Sequence, residues 1–453
     1  MSGGPTGATA DPLDRLKNTF FVPLVRRNRY TIQQVVGEGA YGVVVSAIDN
    51  VTGDTVAVKR IMRLFEHMSE ATRILREIKF LRVLNRHENV ISIRDVLLPD
   101  DRDKFDDVFV VFDYMPADLN RLLRSDIPLS PEHIRWMMYQ LTRALHFLDA
   151  LHVYHRDLKP SNILINADCD LRICDFGLAR ASFHGTIETA FWTDYVATRW
   201  YRAPELIMSY TANYSTAIDM WSLGCIFAEM LNYGRPLFPG RNAFHQMQLI
   251  RETLGTPDPA ALKNIPHTKT KQFFMSLPRK DPPDLRQFFP EASQAAVNFL
   301  GRLLQQDPER RPTAVDALLD PYFEGLYEPA DSAVPDPIPQ HEFDFERKKL
   351  TVAELRALFY EEILLYHPET KAQGRQDPNA LRYDVSSQAD NFRGQFRQMR
   401  DGIAEDNFVS EPRQRLGNLW ERTKSIEANQ EAMEGLVREV DMEAEKDDDQ
   451  MIR

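Results

Sequence analysis

Between Tyr30 and Val111 the apolar residues alternate or run in β-branched blocks. YTIQQVVGEGAYGVVVSAIDNVTGDTVAVKRI predicts three strands, broken first by a Gly-rich turn and then by Thr-Gly-Asp. SEATRILREIKFLRVL then sets Ile74, Leu75, Ile78, Leu81 and Leu84 at helical spacing, and VFVVFDYM reads as a further buried strand. Beyond Pro116 the pattern turns mostly helical. Ser130-Pro131-Glu132 starts a helix with an N-cap followed by Pro at its first position, and the apolar period continues through IRWMMYQLTRALHFLDALH. A β-rich part followed by a larger helical part predicts two lobes with a cleft where they meet. No internal repeat of solenoid length is present. PADSAVPDPIPQ (329–340) reads as an extended connector, LTVAELRALFYEEILLYH as another amphipathic helix, and the chain from Lys371 onward as polar with short amphipathic pieces. The first 20 or so residues, rich in Gly, Thr, Ala and Pro, read as a floppy arm.

Composition narrows the class without changing this outline. Of 453 residues, 43% are apolar and 27% charged, which excludes a collagenous or wholly disordered chain. The formal charge is 55 − 67 = −12, a poor basis for sequence-independent nucleic-acid binding. Ten acidic and three basic residues fall between Glu427 and Arg453, so that stretch carries −7 and the first 426 residues only −5. Cys169, Cys174 and Cys225 form no CxxC pair and suit a reducing compartment. The N-terminus has no signal-peptide pattern and no apolar run approaches a membrane span, so the expected location is cytoplasmic and/or nuclear, with no membrane partner.

The chemistry-bearing residues come in a series. Gly37, Gly39 and Gly42 sit between two strands, where backbone N–H groups can approach phosphate oxygens without Cβ interference. Alone, the triplet is equally a Gly-rich hairpin, and no helix follows it as in a dinucleotide-binding fingerprint. Lys59 follows in Val-Ala-Val-Lys on the third strand, and Glu77 lies on the helix; each alone could be a solvated charge. Then come His155-Arg156-Asp157-Leu158-Lys159-Pro160-Ser161-Asn162, Asp175-Phe176-Gly177 and Ala203-Pro204-Glu205.

In that order these elements resemble the Gly-rich loop, strand lysine, catalytic loop, metal loop and APE element of protein kinases. The resemblance covers Tyr30 to about Phe323 and implies an α+β, two-lobed kinase fold rather than the three domains that length alone suggests. The implied division is an arm at 1–29, a kinase domain at 30–323 (small lobe 30–112, large lobe 116–323) and an extension at 324–370; the acidic tail at 371–453 has no equivalent in the compact family members, and is either regulatory or merely appended. The implied cofactors are ATP and Mg²⁺. Val36, Gly37, Glu38, Gly39, Ala40, Tyr41, Gly42, Val43 and Val44 would cover the nucleotide, Ala57 and Leu164 would wall the adenine slot, and Lys59, paired with Glu77, would hold the α- and β-phosphates. Asp113 and Met115 would offer hinge backbone groups to adenine, Asp118 a carboxylate to the ribose, and Phe112 would guard the inner pocket. Asp175 and Asn162 would coordinate Mg²⁺, Asp157 would accept the substrate hydroxyl proton, and Lys159 would neutralise the moving phosphoryl group. Thr198 matches the threonine of Ser/Thr kinases that contacts the catalytic Asp and Lys. His155 reads as a packed structural histidine. Cys174 reads as a small buried hydrophobe at the ATP site that a covalent ligand could target.

Thr193-Asp194-Tyr195, just before VATRWYRAPE, resembles the T-x-Y activation element of mitogen-activated protein (MAP) kinases in its TDY version. The resemblance implies a proline-directed kinase activated by phosphorylation of Thr193 and Tyr195. A phosphate adds about −1.5 to −2 charges and can gather arginines. Arg73 or Arg76, Arg156 and Arg180 are the candidates for Thr193, and Arg199 and Arg202 for Tyr195. Glu252 to about Pro290 resembles the MAP and cyclin-dependent kinase insert, and YFEGLYEPADSAVPDPIPQHEFDFE the MAP kinase extension, with Glu328 and Asp331 at its acidic docking positions. The implied partners are an upstream dual-specificity MAP kinase kinase and substrates and phosphatases with basic docking motifs, acting on a monomer. The tail has Phe392, Phe396, Met399 and Ile403, then Leu416, Leu419, Thr423 and Ile426, at helical spacing. The tail reads either as an appendage, disordered or of partly ordered helices resting on the kinase, or, since Arg413, Arg415, Leu416 and Leu419 look like a rough docking motif acting in cis, as an autoinhibitory segment. The competing expectations are a cyclin-dependent-like kinase, which would need a cyclin, and a pseudokinase scaffold, which would lack one of Lys59, Asp157 and Asp175.

Overall fold

The computed structural model describes residues 21, 28–39, 42–183, 199–208, 215–259, 271–272, 276–328 and 336–374. The expectations for Ala40, Tyr41, Thr193, Tyr195, Thr198, Asp331 and the tail beyond Gly374 therefore lie outside the described residues.

The three anticipated strands are β1 (Tyr30–Gly39), β2 (Gly42–Asp49) and β3 (Thr55–Ile61), followed by helix α1 (Met68–Val83). Two more strands, β4 (Ile93–Val96) and β5 (Val108–Asp113), complete an antiparallel sheet in the order β1-β2-β3-β5-β4. Strand alternation gives this sheet two faces. Val43, Val45, Ala47, Val56, Val58, Phe109 and Val111 form one core on the outer face, joined by Phe21. Val44, Ala57, Lys59, Val110 and Phe112 take the opposite parity and face the other way, toward α1 and the large lobe.

Helix α1 buries Ile74, Leu75, Ile78 and Leu81 as its sequence spacing anticipates, together with Ala71 and Phe80, and the anticipated Leu84 is buried at its C-cap. A short connector after it links the lobes: the Ile173 N–H donates to the Asn89 carbonyl at 2.9 Å, and the Ile91 N–H to the Ile173 carbonyl at 3.0 Å. The large lobe is built on α2 (Leu119–Leu123), α3 (Pro131–Ala150), α4 (Pro204–Met208), α5 (Ala217–Leu231), α6 (Ala243–Leu254), α7 (Gln294–Leu303) and α8 (Ala314–Leu318). Ser130 caps α3 as anticipated, accepting the His133 N–H, and His133 completes the capping box by accepting the Ser130 N–H. Short strands at Ile163–Ile165 and Leu171–Ile173 carry the catalytic and metal loops at their ends.

The segment after the large lobe returns to α1. A 3₁₀ stretch at Gln340–Arg347 leads to α9 (Val352–Ile363), capped by Thr351 with Glu354 in a second capping box. Phe343 stacks on Phe80 with ring centroids 4.2 Å apart, and Phe359 meets Phe65 edge-on at 5.8 Å. The main core therefore runs unbroken from α1 through the large lobe and into α9.

Candidate active site

The site begins on the cleft face of the sheet. Gly37 and Gly39 lie in β1, and Gly39 pairs with Gly42 across the hairpin. At Gly42, φ is +151° and a Cβ would stand 1.7 Å from the Arg60 carbonyl oxygen, so no side chain fits. Val43 is a correction to the expected nucleotide set. Its side chain packs in the outer-face core, because strand parity sends it away from Lys59.

Lys59 lies on β3 opposite Val44 on one side and Val110 on the other. Its ammonium donates to Glu77 of α1 at 3.4 Å. Burial would lower the ammonium pKa, but Glu77 and Asp175 outweigh it and hold it above its ordinary value. The lysine is thus kept charged where a phosphate would meet it.

The catalytic loop is held mainly by its own large-lobe neighbours. The Lys159 ammonium donates to the Asp157 carboxylate at 2.7 Å, and the Asn162 amide donates to the Asp157 carbonyl at 2.9 Å and to its carboxylate at 3.2 Å. Arg156 adopts φ 69°, a region that non-glycine residues rarely enter. What holds it there is Asp219 in the first turn of α5, whose carboxylate accepts the His155 N–H at 2.7 Å and the Arg156 N–H at 2.9 Å. Burial raises the Asp219 pKa despite these donors. Sequence reasoning missed Asp219; a lone acid in the apolar run AIDMWSLGCIF was the available signal. His155 is fully buried, donates from Nε2 to the Cys174 carbonyl at 3.0 Å, and meets Phe176 edge-on at 4.9 Å.

Asp175 follows at the cleft, with φ 62°. Burial would raise its pKa, but Arg73, Lys59, His155 and Lys159 together pull it below the usual value, so it stays a carboxylate. Arg73 reaches it at 3.4 Å. Among the described residues no three His, Cys, Asp or Glu side chains are clustered to hold a metal ion. The Asp175 carboxylate and Asn162 amide are hard oxygen donors suited to Mg²⁺, and such an ion would draw its other ligands from phosphate and water. Cys174 lies beside this group. Burial first, then the neighbouring acids, push its thiol well above the usual range, so it makes a weak nucleophile toward a covalent ligand.

At the hinge, Phe112 pairs with Ala57 across the strands, so both share the cleft face. The Asp113 carboxylate is taken by Arg94 and Arg172, which leaves the backbone as the group it could offer to a base. Met115 is buried, and Asp118 pairs with Leu164 while its carboxylate caps α2 by accepting the Arg121 N–H at 2.9 Å.

The candidate phosphate-pairing arginines do not all converge. Arg73 is engaged with Asp175, whereas the Arg76 guanidinium donates to the Gly177 carbonyl at 2.7 Å and to Glu346. Arg180 reaches the same Glu346 at 3.5 Å. Arg156 and Arg202 are buried, and Arg199 opens the 3₁₀ turn Arg199–Tyr201. Glu205 of the APE element forms a buried bidentate pair with Arg311, at 2.7 and 2.8 Å. Glu328 is exposed.

A glycine-lined sheet, a lysine–acid pair and an acid-bearing loop facing a second acid define a phosphoryl-transfer enzyme of the two-lobed type. The family description "Protein kinase domain" matches residues 30–323. Mitogen-activated protein kinase 8 of Arabidopsis thaliana is 49% identical over 391 residues, spanning 86% of this chain and 66% of that protein. Mitogen-activated protein kinase 15 of the same plant is 47% identical over 90% of this chain and 73% of its own length. Mitogen-activated protein kinase 14 of Oryza sativa subsp. japonica is 46% identical over 88% and 73%. The chain belongs to the protein kinase family, as a serine/threonine kinase of the MAP kinase type. It covers just under two thirds of the first of these relatives. No helix among the described residues is long and apolar enough to cross a membrane.

Proposed function

We propose that this chain transfers the γ-phosphoryl group of ATP to Ser or Thr hydroxyls preceding proline in protein substrates, and that phosphorylation of Thr193 and Tyr195 by an upstream dual-specificity kinase switches it on. The observation that carries the catalytic part is that Lys159 and Asn162 each reach Asp157, at 2.7–3.2 Å, on a loop pinned by Asp219. In this reading Asp157 accepts the substrate hydroxyl proton, and Lys159 stabilises charge on the transferring group. Lys59, held charged by Glu77, binds the α- and β-phosphates. Mg²⁺, held by Asp175 and Asn162, would neutralise phosphate charge when bound. Glu38 and its glycine neighbours cover the phosphates by backbone N–H groups, and Thr198 orients Asp157 and Lys159.

Regulation follows from charge. Phospho-Thr193 would draw on Arg76, Arg156 and Arg180, which come from α1, the catalytic loop and the strand after the metal loop. Phospho-Tyr195 would draw on Arg199 and Arg202. Glu328 and Asp331 would dock basic motifs of partners, and the tail beyond Lys371 would compete for that groove in cis. The test is mass spectrometry of the active enzyme joined to a peptide array. Doubly phosphorylated Thr193 and Tyr195 with strong preference for Ser-Pro and Thr-Pro peptides is the expected result. Full activity in a T193A/Y195F variant, or indifference to the proline, would refute the reading.

A further inference from the structure

Helix α1 presents Arg76, Lys79 and Arg82, spaced i, i+3 and i+6, to three acids of the C-terminal extension. Glu362 is buried and accepts from Lys79 at 3.0 Å and Arg82 at 2.5 Å; Glu342 accepts from the same two at 3.1 and 2.6 Å. Both of these acids grip the helix alone. Glu346 does something different. It takes Arg76 on the helix, and with its other oxygen it reaches Arg180, at 3.5 Å, on the strand just after the metal loop. The second arm of Arg76 meanwhile donates to the Gly177 carbonyl, two residues from Asp175. One carboxylate therefore ties together the helix that carries Glu77 and the segment that carries Asp175.

The packing beneath makes this tie mechanical. Phe343, three residues before Glu346, stacks on Phe80, and Phe80 in turn lies 6.4 Å from Phe176 of the metal loop. Glu77 follows Arg76 directly, so any displacement of Arg76 moves the partner of Lys59. That contact is 3.4 Å long, at the outer limit of a hydrogen bond, and sensitive to small helix shifts.

We propose that Glu346 is a positioning residue. Its carboxylate holds Arg76 and Arg180 together in the unphosphorylated chain, presets Glu77 toward Lys59, and is the group that an incoming phosphate displaces from these arginines. A carboxylate and a phosphate monoester are both recognised by paired guanidinium donors, and the phosphate carries more charge and more acceptor oxygens, so it wins the exchange. The displacement half rests on the reading of Thr193 as the phosphorylated residue; the positioning half does not.

The test uses the full chain prepared without any upstream kinase and verified unphosphorylated by mass spectrometry. With a Ser-Pro peptide, E346Q is expected to lower kcat about tenfold, the size of one lost charge-assisted contact, with the peptide KM unchanged. Hydrogen exchange across residues 68–83 should rise in the nucleotide-free protein, and E346D should recover part of both. After phosphorylation of Thr193 the variant and wild type should agree within about twofold, because the phosphate supplies the anion. Unchanged or increased kcat in unphosphorylated E346Q overturns the proposal. So does a defect of equal size before and after phosphorylation, which would mark Glu346 as a purely structural contact. Should phosphorylation of the wild type leave kcat unchanged, the Thr193 reading falls, while the unphosphorylated comparison still judges Glu346.

Discussion

The catalytic loop and helix α1 both supply the cleft, yet they are held in opposite ways. Lys159 and Asn162 both bond Asp157, and the backbone beside it is pinned by the single buried carboxylate of Asp219. Glu77 instead depends on a helix whose opposite face is gripped by charges 260 to 280 residues away in the chain, through Arg82 with Glu342 and Glu362. The comparison teaches where control can act. A loop satisfied by its own lobe offers little to displace, whereas a helix held by side-chain ion pairs can be re-aimed by exchanging one anion for another.

The largest effect separates the two at their chemistry. Asp157→Asn keeps the side-chain shape and its contact with Asn162 but removes the proton acceptor. Peptide phosphorylation should fall by about 10²- to 10⁴-fold, the usual contribution of a positioned base. Hydrogen exchange across residues 68–83 should stay at the wild-type level, since nothing at α1 touches Asp157. A kcat within tenfold of wild type would show that the loop does not carry the reaction as argued.

A smaller but structurally broader effect should come from the other region. Glu362→Gln leaves Lys79 and Arg82 beside a buried neutral amide, and breaking a buried pair costs about 3–5 kcal/mol when no partner remains. Glu342 still reaches both cations, so about half that figure is expected. The loss should appear as faster exchange in 340–363 and 68–83 together, with residues 155–162 protected as before. Exchange that rises equally in the catalytic loop would erase the distinction between the two regions.

Much of the catalytic loop was legible in the sequence because its chemistry demands particular residues at fixed spacing. Asp157, Lys159, Asn162 and Asp175 stand close together in the chain, and the structure brings them together with Lys59. Parity along VAVK also explains why Lys59 turns to the cleft while Val56 and Val58 turn to the outer core. Asp219 escaped notice because its partners are backbone N–H groups 63 and 64 residues away, and backbone donors leave no trace in a sequence. Strand β4 escaped because a four-residue run containing Arg94 and Asp95 lacks a clear apolar alternation. The grip on α1 was the least legible. The extension and its amphipathic helix were read from the sequence, but no partner was assigned to Glu342, Glu346 or Glu362, because only the return of the extension onto Phe80 brings them against cations more than 250 residues away.

The smallest effect turns that grip into a titration. Burial would raise the Glu342 pKa, but Lys79 and Arg82 outweigh it and hold the carboxyl below the ordinary glutamate value of 4.5. A carboxyl depressed in the folded state stabilises it above that value, and the contribution disappears as pH falls through the folded pKa. The measurement is the unfolding free energy of wild type minus that of Glu342→Gln, so that every other carboxylate cancels. Near neutral pH the wild type should lead by about 1 kcal/mol, the worth of a partly screened ion pair. The lead should hold as pH drops toward 4.5 and shrink below it, because the unfolded chain takes up the proton first, and level off once the folded carboxyl binds it too. The same subtraction at Asp219, whose carboxyl burial pushes upward, should run the other way, with Asp219→Asn gaining on the wild type as pH rises above the ordinary aspartate value of 3.8. A Glu342 difference that is flat with pH, or that grows on acidification, would mean the extension holds α1 through the Phe343 and Phe359 contacts alone. In that case the charges along α1 would be solvated ornaments of an apolar joint, and the exchange of anions at its face would lose its physical basis.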